Sequence, residues 1–327
     1  MMALGTLIST FWILAANSWM QTPGGHTIVD GRFMPADWLA IIFNASFPYR
    51  IAHTVTGFFV TTGFVVVGVA AWHLKHGRHV VEARRALGMT FALLAISVPL
   101  QVVLGDLHGV NTTEHQPVKI AAMEGLWETQ ARAPSVLFAV PDEARERNHF
   151  EIAIPALASL YLKHDFDATV QGLKSVPPAD RPPVLPVFYA FRVMVGLGLL
   201  MLAMVVWAGI LHWRGRLFDT RAFQNACIAM IPAGFVAVVA GWTVTEVGRQ
   251  PWIVYGLMRT RDAVSPSLTG ANVALSLALY VIVYLIVFGA GIYYMARVAR
   301  AGPPEHVDIR DARLTERPAR PLSAAEA

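Results

Sequence analysis

The chain has 327 residues, of which 55% are hydrophobic and only 15% charged, and its mean hydropathy is +0.49. Soluble domains carry about 25% charged residues, so a water-soluble globular fold is excluded, and the net charge of +4 reflects loop lysines and arginines rather than a nucleic-acid surface. A single cysteine, Cys227, excludes an intrachain disulfide and a thiolate metal cluster. Apolar runs of the length that crosses a bilayer as a helix lie at about 3–20, 50–73, 86–105, 186–211, 223–246 and 273–297. The pattern predicts an all-α polytopic membrane protein, a bundle of about six transmembrane helices with a long outer-face loop. Residues 1–105 and 186–298 carry three spans each, 106–185 form the loop, and 299–327, rich in Pro, Arg, Ala and Glu, read as a disordered tail.

The connectors orient these spans. Lys75, Arg78, Arg84 and Arg85 follow the second; Arg214, Arg216 and Arg221 follow the fourth; Arg297 and Arg300 open the tail. By alternation all three clusters share one side, which the positive-inside rule makes cytoplasmic. The long loop then faces outward, and Trp19, Trp38, Tyr49, Trp252 and Tyr255 fall near the outer boundary as an aromatic belt does. No internal repeat is evident, which argues against inverted-repeat transporter folds.

Ionisable groups within apolar helices are costly and mark function by default. Of eleven histidines only His53 is well placed in a span, and Arg192 and Glu246 are the other such groups. All three, with Met194, are expected in the outer part of the bilayer. An imidazole and a thioether on different helices suit axial ligation of a low-spin haem, and Arg192 could offset charge beside it. The alternative is ordinary packing, since methionine in an apolar helix is usually core. In the outer loop, LGDLHGVNT places Asp106 and His108 in a Gly-bounded turn beyond a helix end. Next, PVKIAAMEGLWETQ reads as a short amphipathic helix after Pro117, with Ile120, Met123 and Trp127 on one stripe and Glu124 and Glu128 on the neighbouring face. It would offer acid–base groups at the membrane surface, or be a solvated loop helix with ordinary charge.

With these residues assembled, the chain resembles subunit I of the cytochrome bd-type quinol oxidases, in the short-loop branch that includes the cyanide-insensitive oxidases. The likeness rests on FWILAANSWMQTP, IAHTV, LGDLHG, KIAAMEGLWETQ, FYAFRVM and GWTVTEVGRQPW, in that order along nearly the whole chain. It implies that His53 and Met194 are axial ligands of low-spin haem b with Arg192 beside them. It further implies that Glu246 is the carboxylate ligand of a high-spin haem in a pair of haem b with haem d or a further haem b. Trp242 would lie between haems, and Arg249 would partner a propionate. Lys119 and Glu124 match the quinol-binding pair of the outer loop, with Asp106 in the same loop. A second subunit, a small accessory subunit, and ubiquinol or menaquinol are the implied partners, in a bacterial inner membrane with the loop periplasmic and the C-terminus cytoplasmic. Family members carry three more helices before the first one here, holding a further haem histidine, so a truncated product or misassigned start is expected. A haem-free transporter using Arg192 and Glu246, or an inactive fragment, are the competing readings.

Overall fold

The computed structural model describes residues 2–303. Six helical segments are long and apolar enough to cross a membrane. In chain order the helices are α1 (Met2–Gln21), α2 (Trp38–Ile42), α3 (Phe47–Lys75), α4 (Val80–His115), α5 (Pro117–Glu124), α6 (Leu157–Lys163), α7 (Val184–Trp213), α8 (Arg221–Ala229), α9 (Ala233–Val247) and α10 (Gly270–Ala301). The polytopic helical reading therefore holds. Four antiparallel two-stranded sheets decorate the connectors: β1 (His26–Val29) with β2 (Arg32–Pro35), β3 (Gln130–Ala131) with β6 (Thr169–Val170), β4 (Ser135–Asp142) with β5 (Arg147–Ile154), and β7 (Trp252–Val254) with β8 (Met258–Arg259).

Three expectations are corrected. The span predicted over 86–105 continues ten residues further, so Asp106 and His108 lie on α4 and not in a turn beyond it. The helix persists through polar sequence because Thr112 and Thr113 hydroxyls bond back to the carbonyls of His108 and Gly109. Asn111 Nδ2 also donates to Ala45 O at 3.2 Å. Second, α5 is not a surface amphipathic helix. Every residue from Val118 to Glu124 is buried, and Gly125 in the left-handed conformation (φ 68°) ends it before Trp127 and Glu128, so the predicted stripe never completes. Third, the run at 223–246 is two helices, α8 and α9, because Pro232 has no N–H to continue the ladder. The tail expected from 299 onward is helical through Ala301, and beyond 303 it lies outside the described residues.

Helix α3 sits at the centre, touching α1, α4, α8 and α9, while α7 packs on α4, α5 and α9. Phe64, Val67, Leu87, Leu94, Met201, Met204 and Phe223 fill the core between them. Small residues allow close helix approach in a membrane. At Gly234, which opens α9, an added Cβ would lie 2.6 Å from Thr61 Cα on α3. A second core lies outside this bundle, where α5, Leu126, Trp127, Leu162 and Leu173 pack on Val184 and Val187 of α7 and Val244 of α9. The connector between α4 and α7 is thus a folded cap seated on the ends of α7 and α9. By contrast α10 has no buried residue; its far end meets the bundle through His73 Nε2 on Ala299 O at 2.7 Å and His79 Nε2 on Ala301 O at 3.2 Å.

Candidate functional site

The first turns of α3 carry His53. Its ring lies against α4, where Gly105 presents no side chain: a Cβ there would stand 3.3 Å from His53 Cε1. One ring nitrogen, Nε2, meets Gln101 Nε2 at 3.2 Å, and the other, Nδ1, is buried with no hydrogen-bond partner. Met194 occupies the equivalent stretch of α7 and faces Gly241 of α9, where a Cβ would stand 3.0 Å from its Sδ. An imidazole with an uncommitted nitrogen and a thioether therefore face glycines within one set of mutually packed helices, α3, α4, α7 and α9. That donor set fits a low-spin haem, for which His and Met are the usual strong and soft axial ligands.

Glu246 ends α9, and both its oxygens are engaged. Asn17 Nδ2 of α1 donates to Oε1 at 2.8 Å, and Arg249 Nη2 donates to Oε2 at 2.6 Å. Asn17 in turn accepts from Arg50 Nη2 through its own Oδ1. An ionised carboxylate can accept about four hydrogen bonds, so Glu246 retains a lone pair on each oxygen for a metal. Arg249 is 4% exposed and leaves Nε and Nη1 buried without partners. Two idle donors of a buried guanidinium fit an anionic group, as a haem propionate is. Trp242, one turn before Glu246, packs with Leu14, Ala15 and Phe47.

The two residues expected to act together in the outer loop point apart. Lys119 Nζ donates to Gln21 Oε1 at 2.5 Å and to Gln116 Oε1 at 2.6 Å. Burial holds its pKa well below the ordinary lysine value; Arg50 and Arg249 press the same way and Glu246 opposes them. Glu124, fully buried on the other side of α5, accepts from Arg192 Nη2 at 3.1 Å. Burial raises its pKa, with Arg192 partly offsetting the shift. The same guanidinium donates to Val136 O through Nε at 2.9 Å and again through Nη2, and to Met123 O through Nη1. It also stacks 3.9 Å over the Phe188 ring. Arg192 thereby ties α7 to α5 and β4. Tyr161 stands beside Glu124, and burial and that carboxylate both raise the pKa of its hydroxyl.

Asp106 bonds His164 at 3.1 Å, joining α4 to the end of α6 at an exposed position. His108, one turn nearer the loop than Gly105, has its ring 5.9 Å from that of His53. Sequence reasoning passed over Arg50, Asn17, Gln21 and Gln116, and named His108 only as part of a turn. Arg50 carried a signal, a charge two residues after Pro48 at the start of an apolar run; it is 5% exposed. The polar residues Asn17, Ser18 and Gln21 share one face of α1 at helical spacing, a stripe legible within its apolar run.

Residues 1–303 match the family model for cytochrome bd terminal oxidase subunit I. The chain belongs to that family. It is 32% identical over 329 residues to the cytochrome bd ubiquinol oxidase subunit 1 of Bacillus subtilis (strain 168), covering 97% of this chain and 70% of that protein. It is likewise 32% identical over 373 residues to the cytochrome bd-II ubiquinol oxidase subunit 1 of Escherichia coli (strain K12), covering 93% and 72%. The bd oxidase from Geobacillus thermodenitrificans superposes with a TM-score of 0.82 at 32% identity, over 92% of this chain and 69% of that one. This bd oxidase subunit I is therefore the haem-bearing subunit of a terminal oxidase in a bacterial membrane, an oxidoreductase and not a haem-free transporter.

Proposed function

We propose that the chain oxidises quinol at the outer face of the bacterial inner membrane and delivers the electrons toward reduction of oxygen to water. The observation that carries this reading is the buried, unpartnered Nδ1 of His53 within a helix set that also holds Met194. When bound, the low-spin haem b supplies a one-electron carrier between a two-electron donor and the oxygen site. His53 and Met194 would hold it, and Arg249, with two buried donor nitrogens unpartnered, would neutralise a propionate. Glu246 would supply a carboxylate ligand to a high-spin haem, of the b or d type, and Trp242, one turn earlier, would pack beside the haem groups. Asn17 and Arg249 fix the Glu246 oxygens in direction.

Quinol docks against the cap between α4 and α7, residues 116–183, which is periplasmic when the basic connectors are cytoplasmic. Lys119 binds a quinol oxygen and Glu124 holds a departing proton, while Asp106 anchors the loop through His164. Burial moves the two pKa values toward each other, lowering that of Lys119 and raising that of Glu124, which eases proton exchange by both. Protons leave outside while those consumed with oxygen come from inside, which charges the membrane without a pumping step. Subunit II, and a small accessory subunit, complete the complex; ubiquinol or menaquinol is the donor.

The test is His53→Ala in the assembled oxidase. The low-spin component should vanish from the reduced-minus-oxidised spectrum while subunit levels persist. An unchanged spectrum defeats the assignment.

A further inference from the structure

Gln21 closes α1 and is 2% exposed. Its side chain binds two ways: Oε1 accepts from Lys119 Nζ at 2.5 Å, and Nε2 donates to Thr245 O at 3.3 Å, one residue before Glu246. Its backbone carbonyl accepts from Gln116 Nε2 at 3.1 Å. Gln116, 3% exposed, turns its own Oε1 onto the same lysine nitrogen at 2.6 Å. Two neutral amide oxygens therefore grip Lys119, and among the described residues no carboxylate stands within ion-pair distance of it. The charged and titratable groups around it are Arg50 of α3, His108 of α4, and Glu246 and Arg249 at the end of α9. Its stem lies close over Gly248, where an added Cβ would stand 3.0 Å from Lys119 Cγ.

The arrangement has a simple hydrogen-bond arithmetic. An ammonium has three N–H donors, and two are committed to Gln21 and Gln116. An amine keeps those two and carries its lone pair in the third direction. The nitrogen stays in place in either protonation state, with one direction open to a ligand oxygen. We propose that Gln21 is a positioning residue for quinol oxidation: with Gln116 it fixes the Lys119 nitrogen so that its one uncommitted direction meets a quinol oxygen. This rests on the assignment of Lys119 to the quinol site made above. It also explains the choice of amides. A carboxylate at either place would bind the ammonium as an ion pair and compete with the quinol for it.

The test uses the complete haem-loaded oxidase and a short-chain soluble quinol as probe, with steady-state kinetics and haem spectra for Gln21→Met, Gln21→Glu and Lys119→Met. Losing one acceptor of a charged donor is worth about tenfold or more. Gln21→Met should raise KM for the quinol about tenfold with kcat within about twofold and the haem spectrum of the parent. Gln21→Glu keeps an acceptor but binds the nitrogen as an ion pair that competes with the quinol, so it too should raise KM, with the haem spectrum of the parent. Lys119→Met should raise KM at least as much as Gln21→Met. A parental KM in Gln21→Met beside a large effect in Lys119→Met overturns the role of Gln21 and leaves the Lys119 assignment standing. A parental KM in Lys119→Met overturns both. Loss of haem and subunits in both Gln21 variants also overturns the proposal, because Gln21 would then be a staple of the fold. If only Gln21→Met fails to assemble, Gln116→Met is read against the same tenfold expectation.

Discussion

Replacing Arg192 with methionine removes the guanidinium through which α7 holds both α5 and β4 of the cap. The substitution strips Glu124 of its charged partner and leaves the carbonyls of Met123 and Val136 without donors. Glu124 is 0% exposed, so water cannot replace the lost contact. Breaking a buried pair from one side costs about 3–5 kcal/mol. The penalty falls on the closed cap, and each 1.4 kcal/mol is tenfold in population, so opening should become roughly a hundredfold to a few thousandfold more frequent. Hydrogen exchange read by mass spectrometry on the purified oxidase measures this directly. Amides of 117–124 and 135–142 should lose protection, while those of α3 keep theirs. Arg192→Lys should fall between, keeping the charge but losing the planar fork. Adding Glu124→Gln to Arg192→Met should restore part of the protection, since no unpaired charge remains. Unchanged exchange over 117–124 in Arg192→Met would refute the reasoning.

Other consequences can be checked with the same enzyme. Gly241→Ala places a Cβ 3.0 Å from Met194 Sδ; it should weaken thioether ligation and lower the low-spin haem midpoint potential, measured by redox titration. Gly234→Val drives side-chain atoms into the Thr61 backbone on α3, and should abolish assembled subunit in membranes as judged by immunoblot. His164→Ala removes an exposed pair to Asp106, so thermal stability should change by less than about 0.5 kcal/mol. Burial raises the Glu124 pKa above its ordinary 4.5, so the folded cap binds that proton more tightly than the unfolded chain does. The stabilisation is complete below about 4.5 and declines as pH rises from there through the raised folded value. Exchange of 117–124 should therefore gain an opening component with rising pH, beyond the intrinsic chemical rate, that Glu124→Gln abolishes.

The number and order of spans were legible because about 20 apolar residues in a row admit few other structures. The helix ends were not. Residues 106–115 of α4 are polar and interrupted by Gly109, and they stay helical through tertiary bonds such as Asn111 to Ala45 O. The break between α8 and α9 was written in Pro232 but masked by the continuous hydropathy around it. At the site, His53, Arg192 and Glu246 stood out as ionisable groups in apolar runs. Their partners did not, because Arg192 meets Glu124 across 68 positions and Asn17 meets Glu246 across 229. Spacing rules see one helix at a time. The family likeness supplied roles for Lys119 and Glu124 but not their opposite orientations, which arise because the whole of α5 is enclosed and its two faces meet different helices.

Arg192 stands two positions before Met194 on a rigid α-helix. A guanidinium locked to two backbone carbonyls and a carboxylate gives the lid and the thioether a common mechanical frame. Any ligand that shifts residues 117–142 must drag or release the turn of α7 bearing that sulfur. On the assignments proposed above, arrival of a reductant and the electronic tuning of its acceptor would be one displacement, transmitted through a single side chain.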